Sequence, residues 1–156
     1  MKIDWKKLLI CLAIPLAVGG LSAWISGSGM DAYGALNQPP LSPPGWLFPV
    51  VWTILYLLMG YASYRILTSG AEEEKIRRAL TLYGAQLALN FVWPLVFFGL
   101  SLYLLAFLVL VALWVLIYLT MHAFAKINEK VADLLLPYIL WVTFAGYLNL
   151  GVFLLN

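Results

Sequence analysis

Gln86 and Asn90 stand one helical turn apart in QLALNFVWPLVFFG (86–99), and Trp93 and Phe97 continue the same spacing. Residues spaced in this way share one face of an α-helix, so two amides and two aromatic rings form a single stripe within an apolar run. An amide surrounded by hydrocarbon needs a hydrogen-bonding partner, which turns such a stripe toward the interior of a helix bundle. Two more stripes have the same character. Pro49, Trp52 and Tyr56 fall at i, i+3 and i+7 in SPPGWLFPVVWTILY (42–56), and Trp141, Ala145 and Asn149 at i, i+4 and i+8 in PYILWVTFAGYLNLG (137–151). Any one of them could be plain packing. Three together describe an apolar pocket lined by indole rings, with a few amides to orient what it holds.

Reactive chemistry is scarce. The chain has one His and one Cys, and none of its acidic residues lies within an apolar segment, so no metal site is expected from side chains. His122 could ligate haem iron in principle, but it stands at the opposite end of its helix from the three stripes and is expected to pack at an interface. Cys11 lies in an apolar run, cannot form a disulfide within the chain and is expected to pack. No nucleic-acid partner is expected.

The elements that carry these stripes follow from charge segregation. Of 156 residues, 64% are hydrophobic and only 10% charged, a composition that excludes a water-soluble domain. A membrane span needs about 20 apolar residues. The segments 8–25, 46–64 and 134–155 each supply one helix, and the uncharged stretch from Ala79 to Ala125 supplies two, 79–98 and 102–121, separated at Gly99. The expected fold is an all-α integral membrane protein, a single five-helix domain over 1–156. Strict apolar/polar alternation is absent, which argues against a membrane β-barrel.

The basic residues set the expected topology. Lys2, Lys6 and Lys7 precede the first helix, Arg65, Lys75, Arg77 and Arg78 fall between the second and third, and Lys126 and Lys130 between the fourth and fifth. All nine Lys and Arg therefore share one side, which predicts the N-terminus inside and the C-terminus outside. The basic, apolar N-terminus resembles a signal peptide, but its apolar run is long and no A-x-A cleavage site follows, so a retained helix is expected.

The connection 26–45 is the long one on the opposite side. Its prolines Pro39, Pro40, Pro43 and Pro44 fix φ and lower the entropy lost on ordering, which suits a stiff cap over the bundle mouth. Trp46 is expected to anchor at the membrane boundary. Gly84 and Ala88 are each about 200° round the helix from Gln86 and Asn90, a small-residue face directed away from the pocket. That face suits contact with another helix, from the same chain or from a second protomer.

These stretches carry a resemblance. SPPGWLFPVVWTILYLLMGY, QLALNFVWP with FFG, and PYILWVTFAGYLN are similar to signature segments of the tryptophan-rich sensory protein and translocator protein family, also called peripheral benzodiazepine receptors. The resemblance covers essentially the whole chain. It implies a five-helix bundle, usually a homodimer, that binds porphyrins, sterols and benzodiazepine-type synthetic ligands beneath the first loop. By position Trp52, Asn90, Trp93, Trp141 and Ala145 match pocket residues of the family. With the loop and its flanks, the expected ligand-binding set is Tyr33, Pro44, Phe48, Trp52, Tyr56, Gln86, Asn90, Trp93, Trp141, Ala145 and Asn149, with Gly84 and Ala88 at a dimer interface.

One departure bears on the ligand. Animal relatives carry a cholesterol-recognition pattern at the end of the fifth helix, requiring a tyrosine and then a basic residue. Leu150 and Leu154 occupy those positions here, and no Lys or Arg follows Lys130. Leu57, Tyr61 and Arg65 fit the same loose pattern weakly on the second helix. Protoporphyrin IX is the better expectation, as ligand or substrate, because a flat macrocycle stacks on indoles while an apolar slot buries its faces. Its carboxylates would face water or accept bonds from Tyr33, Asn37, Gln38 or loop amides, with Asp31 opposing them. The expected function is a receptor or sensory protein of a cell membrane, in the bacterial plasma membrane, requiring no cofactor. The alternative, an activity that the resemblance suggests for bacterial members, is a light-dependent porphyrin-degrading enzyme using Trp52 and Trp141, and porphyrin or sterol transport is the third reading.

Overall fold

The computed structural model describes residues 2–26 and 34–156, which form helices and turns with no strand among them. The helices are α1 (Trp5–Ser26), α2 (Leu47–Leu67), α3 (Glu73–Pro94), α4 (Tyr103–Ala125), the short α5 (Glu129–Asp133) and α6 (Leu136–Leu155). One π-helical turn, Leu95–Gly99, extends α3. With that turn added to α3 and α5 joined to α6, five units are long and apolar enough to cross a membrane.

Helix α3 starts at Glu73 rather than near Ala79, because the charged segment is itself helical. Glu73 and Glu74 stand at the positive end of the helix dipole, and each meets Arg77 about one turn later, at 3.7 and 3.5 Å. The start of the last span is likewise capped in polar surroundings. Asn128 accepts from the amides of Lys130 at 3.0 Å and Val131 at 3.4 Å to begin α5.

The reversal between α3 and α4 has a different origin from the glycine that the sequence offers. Pro94 has no amide to donate to the carbonyl one turn back, and the chain widens after it. The Leu100 amide donates to the Leu95 carbonyl at 2.9 Å and the Leu102 amide to Val96 at 3.1 Å. The left-handed backbone in the turn belongs to Ser101, with φ 54°, while Gly99 only ends the π turn.

Around the bundle, α1 packs on α2 and α3, α3 on α4, and α4 on α6. Ring contacts between Phe48 and Trp141 and between Trp52 and Tyr138 bring α6 back to α2. The end that carries the lysines and arginines is tied by the Asp4 amide, which donates to the Tyr64 hydroxyl at 2.8 Å. Gly60 sets the approach of α1 and α2 just above this end. A Cβ there would lie 2.6 Å from the Cys11 carbonyl oxygen and 2.8 Å from the Leu12 Cα, so only glycine permits the crossing. Met59, Ala62 and Ile66 beside it have no exposed surface.

At the opposite end, the described part of the first loop docks on α6. Pro39 is buried over Gly151, whose added Cβ would meet the proline ring at 2.5 Å. The Tyr147 hydroxyl donates to the Pro40 carbonyl at 2.6 Å, and Asn37 and Asn156 exchange hydrogen bonds at 3.2 and 2.8 Å. Leu41 takes a φ of 69°, which is costly for a leucine, beside the bond from the Ser42 hydroxyl to the Pro39 carbonyl at 2.7 Å.

Candidate functional site

Toward the loop end, α1 and α2 diverge and leave a cavity of about 320 Å³. One wall is α1, through Leu16, Gly19, Gly20, Ala23 and Ser26. The second is the first half of α2, through Phe48, Pro49, Trp52, Thr53 and Tyr56, and the floor is Asn90, Trp93, Pro94 and Phe98. Leu16, Gly20, Ala23, Pro49 and Thr53 are exposed and form its rim. No lining side chain is charged. Such a space can hold a flat apolar molecule and orient it by ring faces, and it contains no group suited to acid–base catalysis.

The aromatic wall is rigidly held. Trp52 stacks on Tyr56 with ring centres 5.6 Å apart and meets Tyr138 edge-on at 6.2 Å. The Tyr56 ring in turn lies where a Cβ on Gly19 would be, so the missing side chain on α1 is what seats the ring. Below it runs a buried polar chain. The Tyr56 hydroxyl donates to Asn90 Oδ1 at 2.9 Å, Asn90 Nδ2 donates to the Tyr138 hydroxyl at 2.7 Å, and that hydroxyl donates to Gln86 Oε1 at 2.6 Å. Gln86 Nε2 ends the chain against Met59 Sδ at 3.9 Å. Both ends of the Asn90 amide are thereby committed to holding tyrosines from α2 and α6.

Trp93 is fixed just as firmly. Its Nε1–H donates to Asn149 Oδ1 at 2.9 Å, and Asn149 Nδ2 donates to the Tyr103 carbonyl at 2.8 Å, joining α3, α6 and the start of α4. The ring stacks on Phe97 at 5.2 Å.

Of the residues expected from sequence, Phe48, Trp52, Tyr56, Asn90 and Trp93 meet at this cavity. Gln86 is buried one layer deeper, in the polar chain. Ala145 and Asn149 line a separate void of about 10 Å³, bounded also by Phe48, Trp93, Phe97, Phe98 and Leu148. Trp141 stands beyond Phe48, edge-on to it at 5.9 Å, and borders an outer groove between α2 and α6 with Leu55, Pro137 and Phe144. Pro44 is exposed in the loop and absent from the cavity wall. Tyr33 and Asp31 lie outside the described residues, while Asn37 is engaged with Asn156. Gly84 and Ala88 are exposed on the outward face of α3, and His122 is exposed near the basic end of α4.

Sequence reasoning missed the α1 wall altogether. The available signal was the small residues of AVGGLSA (17–23) in the middle of an otherwise large apolar helix, where Gly19 and Ala23 fall on one face.

The TspO/MBR family model matches residues 11–155, a span that contains every lining residue of the cavity. The chain belongs to the TspO/MBR family. Among curated relatives of this TspO/MBR chain, tryptophan-rich protein TspO of Chlorobaculum tepidum is 39% identical over 96% of this chain and 95% of its own length. The tryptophan-rich sensory protein of Cereibacter sphaeroides is 36% identical over 100% and 95%. The translocator protein of Bos taurus is 37% identical over 93% and 87%. Family membership and the five apolar helices make it a multi-pass membrane protein.

Proposed function

We propose that this TspO/MBR chain is a membrane receptor of the sensory type that takes porphyrins and related flat hydrophobic ligands into the cavity between α1, α2 and α3. The observation that carries this reading is the uncharged, aromatic wall: Trp52 stacked on Tyr56 and held by Asn90, facing about 320 Å³ of space. That volume lies within the usual range for small-molecule sites, roughly 300–1,000 Å³, and an indole face offers a macrocycle both area and stacking. The printed names of the relatives, tryptophan-rich sensory protein and translocator protein, are consistent with a receptor role. Benzodiazepine-type synthetic ligands would occupy the same wall as smaller aromatic probes. Binding needs no cofactor.

The basic end faces the cytoplasm of a bacterial plasma membrane in this reading, by the positive-inside rule, so the cavity lies in the outer half of the bilayer. The porphyrin carboxylates then stand at the rim beside water. The exposed Gly84 and Ala88 face supplies the contact of a homodimer.

The test is titration of the purified protein with protoporphyrin IX in darkness, read by quenching of indole fluorescence. Saturable binding that empty micelles lack is expected, and its absence would remove the receptor reading. Trp52→Phe keeps a stacking ring and should bind within about tenfold of the parent, a loss of roughly 1.4 kcal/mol.

Light-dependent degradation is the second reading, favoured by one observation: an oxidisable indole, Trp52, forms the cavity wall itself. Under illumination the parent would then yield a new pigment that Trp52→Phe does not, despite retained binding. Trp141→Phe should fail similarly only if the macrocycle reaches past Phe48. Equal slow bleaching in the parent, both variants and lipid alone would exclude the enzyme.

A further inference from the structure

We infer that the amides of Asn90 and Gln86 insulate Trp52: they keep Tyr56 and Tyr138 from giving up a hydrogen atom to an oxidised indole, so that an oxidation made on Trp52 stays there. Where a bound macrocycle in light is the oxidant, this rests on the second reading above. The insulation itself is a property of the protein alone.

Trp52 is half-buried at the cavity wall and in ring contact with two phenols, Tyr56 at 5.6 Å and Tyr138 at 6.2 Å. Phenols so placed are the natural sink for an oxidised indole. A tyrosine yields its electron readily only when its hydroxyl proton leaves at the same time, because the radical cation it otherwise becomes is an uncompensated charge in an apolar interior. The group that accepts the hydroxyl's hydrogen bond therefore decides whether the phenol is a reductant.

Both acceptors here are amide oxygens. The Tyr56 hydroxyl donates to Asn90 Oδ1 at 2.9 Å and the Tyr138 hydroxyl to Gln86 Oε1 at 2.6 Å. An amide oxygen accepts a hydrogen bond but takes up a proton only in strong acid. The Tyr138 oxygen also accepts from Asn90 Nδ2 at 2.7 Å, and Gln86 Nε2 ends on the Met59 thioether, which is no base. Tyr138 and Gln86 are each 1% exposed and Asn90 2%, so they are sealed from bulk water. The side chains joined in this way, Tyr56, Asn90, Tyr138 and Gln86, include no His, Asp or Glu. A histidine in either amide position would satisfy the same hydroxyl and make the phenol a reductant.

The consequence for a photochemical step is direct. One electron passes from the Trp52 indole to the excited macrocycle, leaving an indole radical cation and a macrocycle radical anion, with no bond made or broken. The competing step, in which Tyr138 gives its electron to the indole and its proton to Gln86, is closed. The indole radical therefore persists beside the macrocycle.

The experiment needs no ligand. Ultraviolet light at the long-wavelength edge of indole absorption ejects an electron from tryptophan into the solvent and leaves phenol unexcited, and transient absorption and electron spin resonance tell indole from phenoxyl radicals. The parent is expected to give indole radical and no phenoxyl signal that Tyr56→Phe or Tyr138→Phe removes. Gln86→His supplies a base, since burial keeps an imidazole neutral, and should show a phenoxyl signal that disappears when Tyr138→Phe is added. Gln86→Met removes the amide without supplying a base and should stay silent, which separates the proton acceptor from disturbed packing. Asn90→His makes the same test at Tyr56, and helix content and thermal unfolding check that each variant is folded. A parent phenoxyl signal abolished by Tyr56→Phe or Tyr138→Phe would overturn the insulation, as would folded Gln86→His and Asn90→His that both stay silent. Illumination with protoporphyrin IX then separates this inference from the reading it serves. If the parent forms a new pigment, Gln86→His should form less of it at equal binding in darkness, and an undiminished yield would overturn the link to that reaction. If the parent forms none, light-driven degradation falls while the ultraviolet result stands.

Discussion

Two successive turns in the middle of α2, at Tyr56 on the loop side and Gly60 on the basic side, meet α1 through opposite uses of glycine. On the basic side Gly60 of α2 lets the α1 backbone come within a distance that a single Cβ would block, and the neighbouring Met59, Ala62 and Ile66 are sealed completely. On the loop side the glycine is on α1. Gly19 admits the Tyr56 ring instead of a backbone, and a ring is thick enough to hold the helices apart. The cavity is thus a consequence of which partner fills the glycine's missing side chain. Backbone against backbone closes the bundle, and ring against backbone opens it.

The largest effect should come from breaking the closed crossing. Gly60→Leu places a branched side chain against the backbone of Cys11 and Leu12, which cannot yield as a side-chain tip can. Overpacking of this kind costs about 1–3 kcal/mol or more, so loss of the folded protein in detergent is expected, read by thermal unfolding. A melting temperature equal to the parent's would show that α1 and α2 do not cross there.

Next is the polar chain that stiffens the open end. Asn90→Ala strands the Tyr56 hydroxyl in an apolar interior, a loss of about 1–3 kcal/mol, and removes the amide donor to the Tyr138 hydroxyl, which keeps its own bond to Gln86. Both stability and protoporphyrin affinity should fall. Preserved affinity in a destabilised protein would mean that the wall does not depend on the amide.

Gly19→Ala sharpens the comparison, because here the obstructing atoms belong to a side chain that can turn. Stability should fall by only about 1 kcal/mol, while ligand affinity falls more as Tyr56 swings into the cavity. The contrast with Gly60 is the point: one glycine protects the fold and the other the site. Equal stability losses at the two positions would erase the distinction.

Replacing Pro39, Pro40, Pro43 and Pro44 by glycine or serine should leave the bundle folded and speed ligand release by loosening the cap. Unchanged dissociation would show that the loop does not gate the cavity. Ala88→Leu should have the smallest effect on the fold, within about 0.5 kcal/mol, because the residue is exposed. Cross-linking should nonetheless shift toward monomer, and a persistent dimer would put that interface elsewhere.

Much of the fold was legible because charge marks the ends of spans so plainly. The segments between Lys7 and Arg65, interrupted only by Asp31, between Arg78 and Lys126, and after Asp133 contain the apolar helices. The start of α3 was less legible, since Glu73, Glu74 and Arg77 look like a connecting loop until their placement on the helix dipole is considered. The widening after Pro94 was obscured by the more conspicuous Gly99.

At the site, the Trp52–Tyr56 and Asn90–Trp93 stripes were legible because helical spacing alone puts each pair on one face. The α1 wall was not, because glycine contributes space and leaves no side chain to read. The setting of Trp141 depends on which helices become neighbours. Its own helix gives the stripe, but only the return of α6 to α2 puts Phe48 between it and the cavity.

The docking of Asn37 on Asn156 joins positions 119 residues apart in sequence. During synthesis the loop therefore leaves the ribosome long before the surface that receives it. It must wait through the insertion of three further spans, and only the emergence of α6 gives Pro39 its seat on Gly151 and Pro40 its bond from Tyr147. Late, long-range contacts form slowly and leave the parts they join unpaired in the interval. In biogenesis the loop end is the last part of the molecule to set, so a nascent chain interrupted before α6 would hold a finished crossing at Gly60 beneath an unfastened mouth.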